Sequence, residues 1–152
     1  MVDAPDIPAE KRALLEEACK NAGLRLTHQR LEIYRELVAA CDHPSAETLH
    51  QRLRKRIPTL SLDTVYRTLA TLAEQGLINR VETLESQARF EATSRRHHHL
   101  ICRKCGKIAD FQWPDIDSAA LPQEISEWGR IDLKNVVIHG ICRNCLEGHR
   151  EK

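Results

Sequence analysis

Apolar positions recur at helical spacing through the first half of the chain and change period beyond Gly76. From Pro8 to Ala22, Leu14, Leu15, Ala18 and Ala22 fall on one face and Gly23 follows as a stop, which predicts a first helix. Thr27 is placed to cap a second helix that carries Leu31, Tyr34, Leu37, Val38 and Cys41. Asp42-His43-Pro44-Ser45 breaks it. Ser45 then caps a third helix with Ala46, Leu49 and Leu53 inward, ending before Pro58. Ser61 caps a fourth, with Leu62, Val65, Leu69 and Leu72 inward and Gly76 at its C-terminal end. The last two helices, separated by a short turn containing Pro58, have the form of a helix-turn-helix. Residues 77–81 and 88–92 read as two strands joined by a polar turn, the wing of a winged helix. Thr93-Ser94-Arg95-Arg96 is a polar hinge and the expected boundary between a domain at 1–92 and a second at 93–152. Beyond it, His98 to Cys102, Lys107 to Gln112 and Leu133 to Ile141 read as strands. Asp117 to Trp128 reads as a helix interrupted early by Pro122.

With 152 residues, each half is small and would gain from a structural metal. Charged residues make up 30% and aromatics 4%, a composition that fits a soluble, helix-rich protein. No apolar run approaches the roughly 18 residues needed to span a bilayer. The opening Met1-Val2-Asp3-Ala4-Pro5 has no basic stretch followed by an apolar one, so no signal peptide is expected and the compartment is expected to be the cytoplasm. The net charge of +1 says nothing of nucleic acid, but its distribution does. Arg52, Arg54, Lys55, Arg56, Arg67 and Arg80 lie against only Asp63 and Glu74 between His50 and Arg80, a local basic patch.

The cysteines carry the clearest chemistry. Cys102-x-x-Cys105 and Cys142-x-x-Cys145 are two knuckles whose thiolates can close a tetrahedral S4 site, which favours zinc over a redox dithiol or a disulfide framework. The other two, Cys19 and Cys41, fall on apolar helical stripes and are expected to be small core residues. Just ahead of the first knuckle stands His97-His98-His99. On a strand, His97 and His99 share a face and His98 points away, where it is expected to meet solvent. Two imidazoles on one face beside carboxylates suit a second, more labile ion such as Fe2+, Mn2+ or Zn2+.

Taken together, Leu26-Thr27-His28-Gln29-Arg30, His43-Pro44-Ser45-Ala46, Ser61-Leu62-Asp63-Thr64-Val65-Tyr66-Arg67-Thr68-Leu69, Gly76-Leu77-Ile78, Arg89-Phe90-Glu91, the His-x-His and Cys102-x-x-Cys105-Gly106-Lys107-Ile108 resemble the ferric uptake regulator family of bacterial repressors over nearly the whole chain. The resemblance implies an α+β protein: an N-terminal winged-helix DNA-binding domain followed by a small α/β dimerisation domain with the four-cysteine zinc site. It implies a homodimer that binds palindromic double-stranded operators when metal is present, with no enzymatic activity, no membrane and no small-molecule substrate. The regulatory Fe2+ or Mn2+ site it implies is His43, Glu91, His97, His99 and Asp110. For DNA, Tyr66 and Arg67 are the candidates for base edges, and Ser61 and Thr64 for phosphate at the start of the fourth helix. Arg52, Arg54, Lys55 and Arg56 read better as a solvated face than as base readers. A further metal site found in some members is not expected here, because His139 is off its pattern although Asp117 matches its carboxylate. His149 is not expected to be a ligand.

Within the family the S4 site and a five-ligand site with Asp110 look most like a peroxide-sensing regulator. Glu91 and Arg67 resemble the iron-uptake repressors, which are the alternative, with zinc-uptake repressors behind. Two other classes stay open on the residues alone. Three His and two carboxylates could serve a hydrolytic metalloenzyme, although His-Glu-x-x-His is missing. The knuckles could also staple a protein-interaction module that binds no DNA.

Overall fold

The computed structural model describes residues 6–84, 86–92 and 95–148; the start of the chain, the Thr93-Ser94 part of the hinge and His149 lie outside the described residues. The chain divides into two compact units, Met1–Ser94 and Arg95–Lys152.

In the first unit, α1 (Ala9–Asn21), α2 (His28–Ala39), α3 (Ala46–Leu53) and α4 (Leu62–Glu74) precede a two-stranded antiparallel ribbon, β1 (Asn79–Val81) and β2 (Arg89–Glu91). Three of the helix starts are built as the sequence requires. Thr27 accepts from the Arg30 N–H at 3.3 Å, Ser45 from Thr48 at 3.2 Å and Ser61 from Thr64 at 3.1 Å, each satisfying a donor the helix cannot. Gly23 and Gly76 turn the chain out of α1 and α4 at a φ of 72°, where a side chain would be strained. The core gathers Leu15 and Cys19 of α1, Ile33, Tyr34 and Leu37 of α2, Ala46, Leu49 and Leu53 of α3, and Val65, Leu69 and Leu72 of α4.

Two expectations fail here. Leu14 is half exposed, because the buried face of α1 runs through Leu15, Ala18 and Cys19 instead. Cys41 is exposed as well: α2 ends at Ala39, two residues early for the stripe, so the thiol leaves the helix before it can turn inward.

Polar pairing reaches into this unit too. Glu32 is buried on α2, where Arg35 meets it at 2.5 Å and Arg56 at 3.6 Å; Arg56 also holds Glu36 at 3.1 Å. Arg52 bonds Asp42 at 2.5 Å. Two of the four cations after α3's midpoint are therefore tied to carboxylates rather than held as a solvated face, which leaves Arg54 and Lys55 as the exposed remainder of that run.

The second unit is a three-stranded sheet in the order β4-β3-β5, with β3 (His98–Cys102) in the middle. It pairs antiparallel with β4 (Ile108–Phe111) and parallel with β5 (Val137–Gly140). The single helix expected at 117–128 is two short ones, α5 (Pro114–Ser118) and α6 (Gln123–Trp128), separated around Pro122, which stands as N-cap of the second. A last turn, α7 (Arg143–Leu146), follows Cys142.

Candidate metal and DNA-binding sites

The two knuckles come together because their strands are neighbours. Cys102 pairs across the sheet with Gly140, so the turn after β3 and the start of α7 lie side by side. The Sγ atoms of Cys102, Cys105, Cys142 and Cys145 all lie within 4.8 Å of one another, and those of Cys105 and Cys142 are 3.8 Å apart. Thiolates about 2.3 Å from a tetrahedral zinc stand roughly 3.8 Å apart, so the donor set fits that ion. The electrostatics agree. The Cys142 N–H, 3.3 Å from the Cys102 sulfur, and then the Cys105 N–H bring the Cys102 thiol down to about 6. Desolvation and then the neighbouring sulfurs push Cys145 up to about 12. One sulfur ionises at the expense of another, a conflict that a divalent cation removes by stabilising all four thiolates.

The carboxylate and imidazole groups form two sets, one in each unit. In the first unit, the Phe90 N–H donates to the Pro44 carbonyl at 3.0 Å and Ser45 bridges to Arg89, which straps β2 to the turn after α2. That strap brings the His43 Nε2 to 2.9 Å from Glu91, with both side chains buried. His43 adopts a φ of 49°, the only non-glycine in the left-handed region among the described residues, so the turn is built tightly around this imidazole.

In the second unit, His97, just ahead of β3, and His99 within it lie on one face, as expected. Their rings cross at 83° with Nε2 atoms 3.1 Å apart. Nitrogens about 2.1 Å from one ion at roughly a right angle would have that separation. Asp110, the register partner of His99 on β4, lies 3.5 Å from His99 and 3.8 Å from His97. These three residues fit an ion that takes nitrogen and oxygen donors.

His98 points the other way, as alternation requires, but it does not reach solvent; it is fully buried. Phe111 and α5 cover it. Its Nδ1 accepts the Val136 N–H at 2.9 Å, so the proton sits on Nε2, which donates to Asp117 at 2.8 Å. Arg96 approaches the same Asp117 oxygen at 3.2 Å. Asp117 is thus committed to a histidine and an arginine. His139 is exposed on β5.

On the DNA side, Ser61 and Thr64 stand at the start of α4, with hydroxyls 2.8 Å apart. Tyr66 and Arg67 both project from its exposed side. Neither is idle. The Tyr66 hydroxyl donates to Glu47 of α3, and Arg67 meets Asp63 one turn earlier at 2.9 Å. The Tyr66 bond holds the Glu47 carboxyl below its usual range and raises the tyrosine. The role of Glu47, like that of His98, is missed by sequence reasoning. The Tyr66 pairing spans 19 residues and has no local spacing that would reveal it.

A model of the Ferric uptake regulator family matches residues 21–139. The chain belongs to that family. Regulators of the ferric uptake regulator family are dimeric, DNA-binding repressors, and this member is a metal-dependent transcriptional repressor, not an enzyme. It is 33% identical to the peroxide-responsive repressor PerR of Staphylococcus epidermidis over 129 residues, 84% of this chain and 85% of that one. Among solved structures it is similar to the ferric uptake regulator of Helicobacter pylori, described as having three functional metal-binding sites, with a TM-score of 0.76, 26% identity and both chains fully covered. A zinc-bound manganese uptake regulator aligns with a TM-score of 0.62 and 33% identity over 85% of this chain and 98% of that one. Among the described residues no helix is long and apolar enough to cross a membrane.

Proposed function

We propose that this repressor senses peroxide through an Fe2+ or Mn2+ ion held by His43, Glu91, His97, His99 and Asp110, while Cys102, Cys105, Cys142 and Cys145 hold a structural zinc. The observation that carries the reading is the His97–His99 pair, with nitrogens spaced 3.1 Å for one ion and Asp110 beside them. The buried His43–Glu91 pair offers the complementary donors from the winged-helix unit. One ion taken by both sets would fix the winged helix against the dimerisation unit, so that metal occupancy is read as DNA affinity. Ferrous iron in such a site would supply peroxide chemistry, and the nearest organic groups are the imidazole rings. The similarity to a peroxide-responsive repressor supports this choice. Glu91, with its longer carboxylate, supports the alternative, an iron-uptake repressor.

The protein acts in the cytoplasm as a homodimer on palindromic operators. Leu100, with its register partners Ala109 and Ile138, forms an apolar row across the sheet. With Ile141 it lines a groove of 280 Å³, the face a second copy would cover. In each copy α4 enters the major groove, with Tyr66 and Arg67 at base edges and Ser61 and Thr64 at phosphate.

The test is an operator-binding assay on iron-loaded and manganese-loaded dimer before and after a near-stoichiometric peroxide pulse. The iron form should gain one oxygen on the peptide with His97 or the one with His43, and release DNA; the manganese form should resist. Iron-loaded protein that keeps both its histidines and its DNA is an iron-uptake repressor.

A further inference from the structure

We propose that Glu47 is a latch on the DNA-reading face: it holds the Tyr66 hydroxyl against α3 in the free protein and releases it when DNA supplies another acceptor. The inference rests on the reading of α4 as the recognition helix.

Tyr66 is 44% exposed, yet its one hydroxyl proton is given to a carboxylate from a different helix. A tyrosine bonded in this way cannot offer that proton to a base or phosphate until the bond is broken. The carboxylate itself is misplaced for DNA, since it stands beside the helix meant to approach a polyanion. It also has somewhere to go. Glu47 sits in the first turn of α3, where the helix end favours negative charge. Ser45, the N-cap two residues earlier, is occupied with Thr48, so the helix end itself is what receives the carboxylate once Tyr66 leaves. Arg67 is less constrained: its pair with Asp63 engages the Nε of a guanidinium that has five N–H donors, whereas the tyrosine has one. Tyr66 therefore carries a barrier that Arg67 does not, and Glu47 sets how readily α4 engages.

The test is a double-mutant cycle on the metal-loaded dimer. Glu47→Ala, Tyr66→Phe and the pair are compared for binding to a duplex selected by the unmodified protein from a random-sequence library, and to a scrambled duplex of the same length. Removing the carboxylate should tighten both complexes through charge alone. With Tyr66 present it should tighten the selected duplex by a further factor of about 3 to 10, the worth of one net hydrogen bond. That extra factor should vanish in the Tyr66→Phe background. Glu47→Gln, which keeps an amide in the first turn of α3, should act in the same direction with a smaller factor and guards against a folding defect in the alanine variant. An equal gain in both backgrounds, or weaker operator binding after Glu47→Ala, overturns the latch. If Tyr66→Phe and Arg67→Ala both leave selection of the duplex untouched, α4 is not the reader, and the latch falls with that assignment.

Discussion

Asp42, next to the proposed ligand His43, shows how much one residue can depend on a neighbour. The Arg52 guanidinium bonded to it, 2.5 Å away, holds its carboxyl below the ordinary value of 3.8. A carboxylate depressed in the folded state stabilises above its unfolded pKa, and that contribution disappears as pH falls through the folded one. Asp42→Asn should therefore lower the melting temperature at neutral pH slightly and flatten its decline below about pH 4, measured by thermal melts across a pH series. Cys142 is a sharper case, because it supplies a sulfur and also donates its N–H to Cys102. Cys142→Ser should lose about one zinc per chain and destabilise the second unit, since the metal's binding energy is folding energy. Full zinc content with an unchanged melt would refute the S4 assignment. At this scale the sequence misleads where an element ends early or a partner is remote. Cys41 lies on a helical stripe but beyond the end of the helix, and His98 alternates outward only to meet Asp117 from 19 residues away.

Among the elements, α4 divides a buried face from an exposed one most cleanly. Its inner stripe, Val65, Leu69 and Leu72, is buried, while Tyr66 and Arg67 project outward. Leu69→Ala should cost about 2–5 kcal/mol of stability and Ser61→Ala about 1 kcal/mol. Arg67→Ala should leave the melt alone, weaken operator binding by about 1–3 kcal/mol and relax preference at one base pair per half-site, read by competition against operator variants. Such elements were legible because cap, apolar period and stop agree: Ser61, then Val65, Leu69 and Leu72, then Gly76. β3 was legible to the residue, from His98 to Cys102. The stretch after β4 was less so. Its apolar residues, Ile125, Trp128 and Leu133, are exposed, so nothing in the unit's own core sets their period, and one expected helix is two. The residues proposed for the regulatory site came from joint resemblance rather than from spacing, since His43 and Glu91 are far apart in the chain and meet only through the strap between β2 and the turn after α2.

For the whole molecule, the apolar row Ala109–Leu100–Ile138 predicts that dimerisation and metal binding can be separated. Ile138→Lys should give a monomer by sedimentation that retains its zinc and binds a palindromic duplex far more weakly than a dimer does. His99→Ala should do the reverse: the dimer and its zinc persist while metal no longer stimulates operator binding. Loss of both metals from that variant would mean that the two sites are not independent.

The parallel pairing of β3 with β5 has a consequence for the order of assembly. β3 and β4 form a local hairpin, a motif that closes within about 1–10 μs, and it carries Cys102 and Cys105. Cys142 and Cys145 arrive only with β5, after a crossover that places Cys142 37 residues beyond Cys105. Refolding from denaturant with zinc present should therefore pass through a short-lived species holding the ion by two sulfurs. A strong chelator added in the first instants should strip that ion and stall folding. The same chelator added after β5 has docked should act only as fast as the unit reopens.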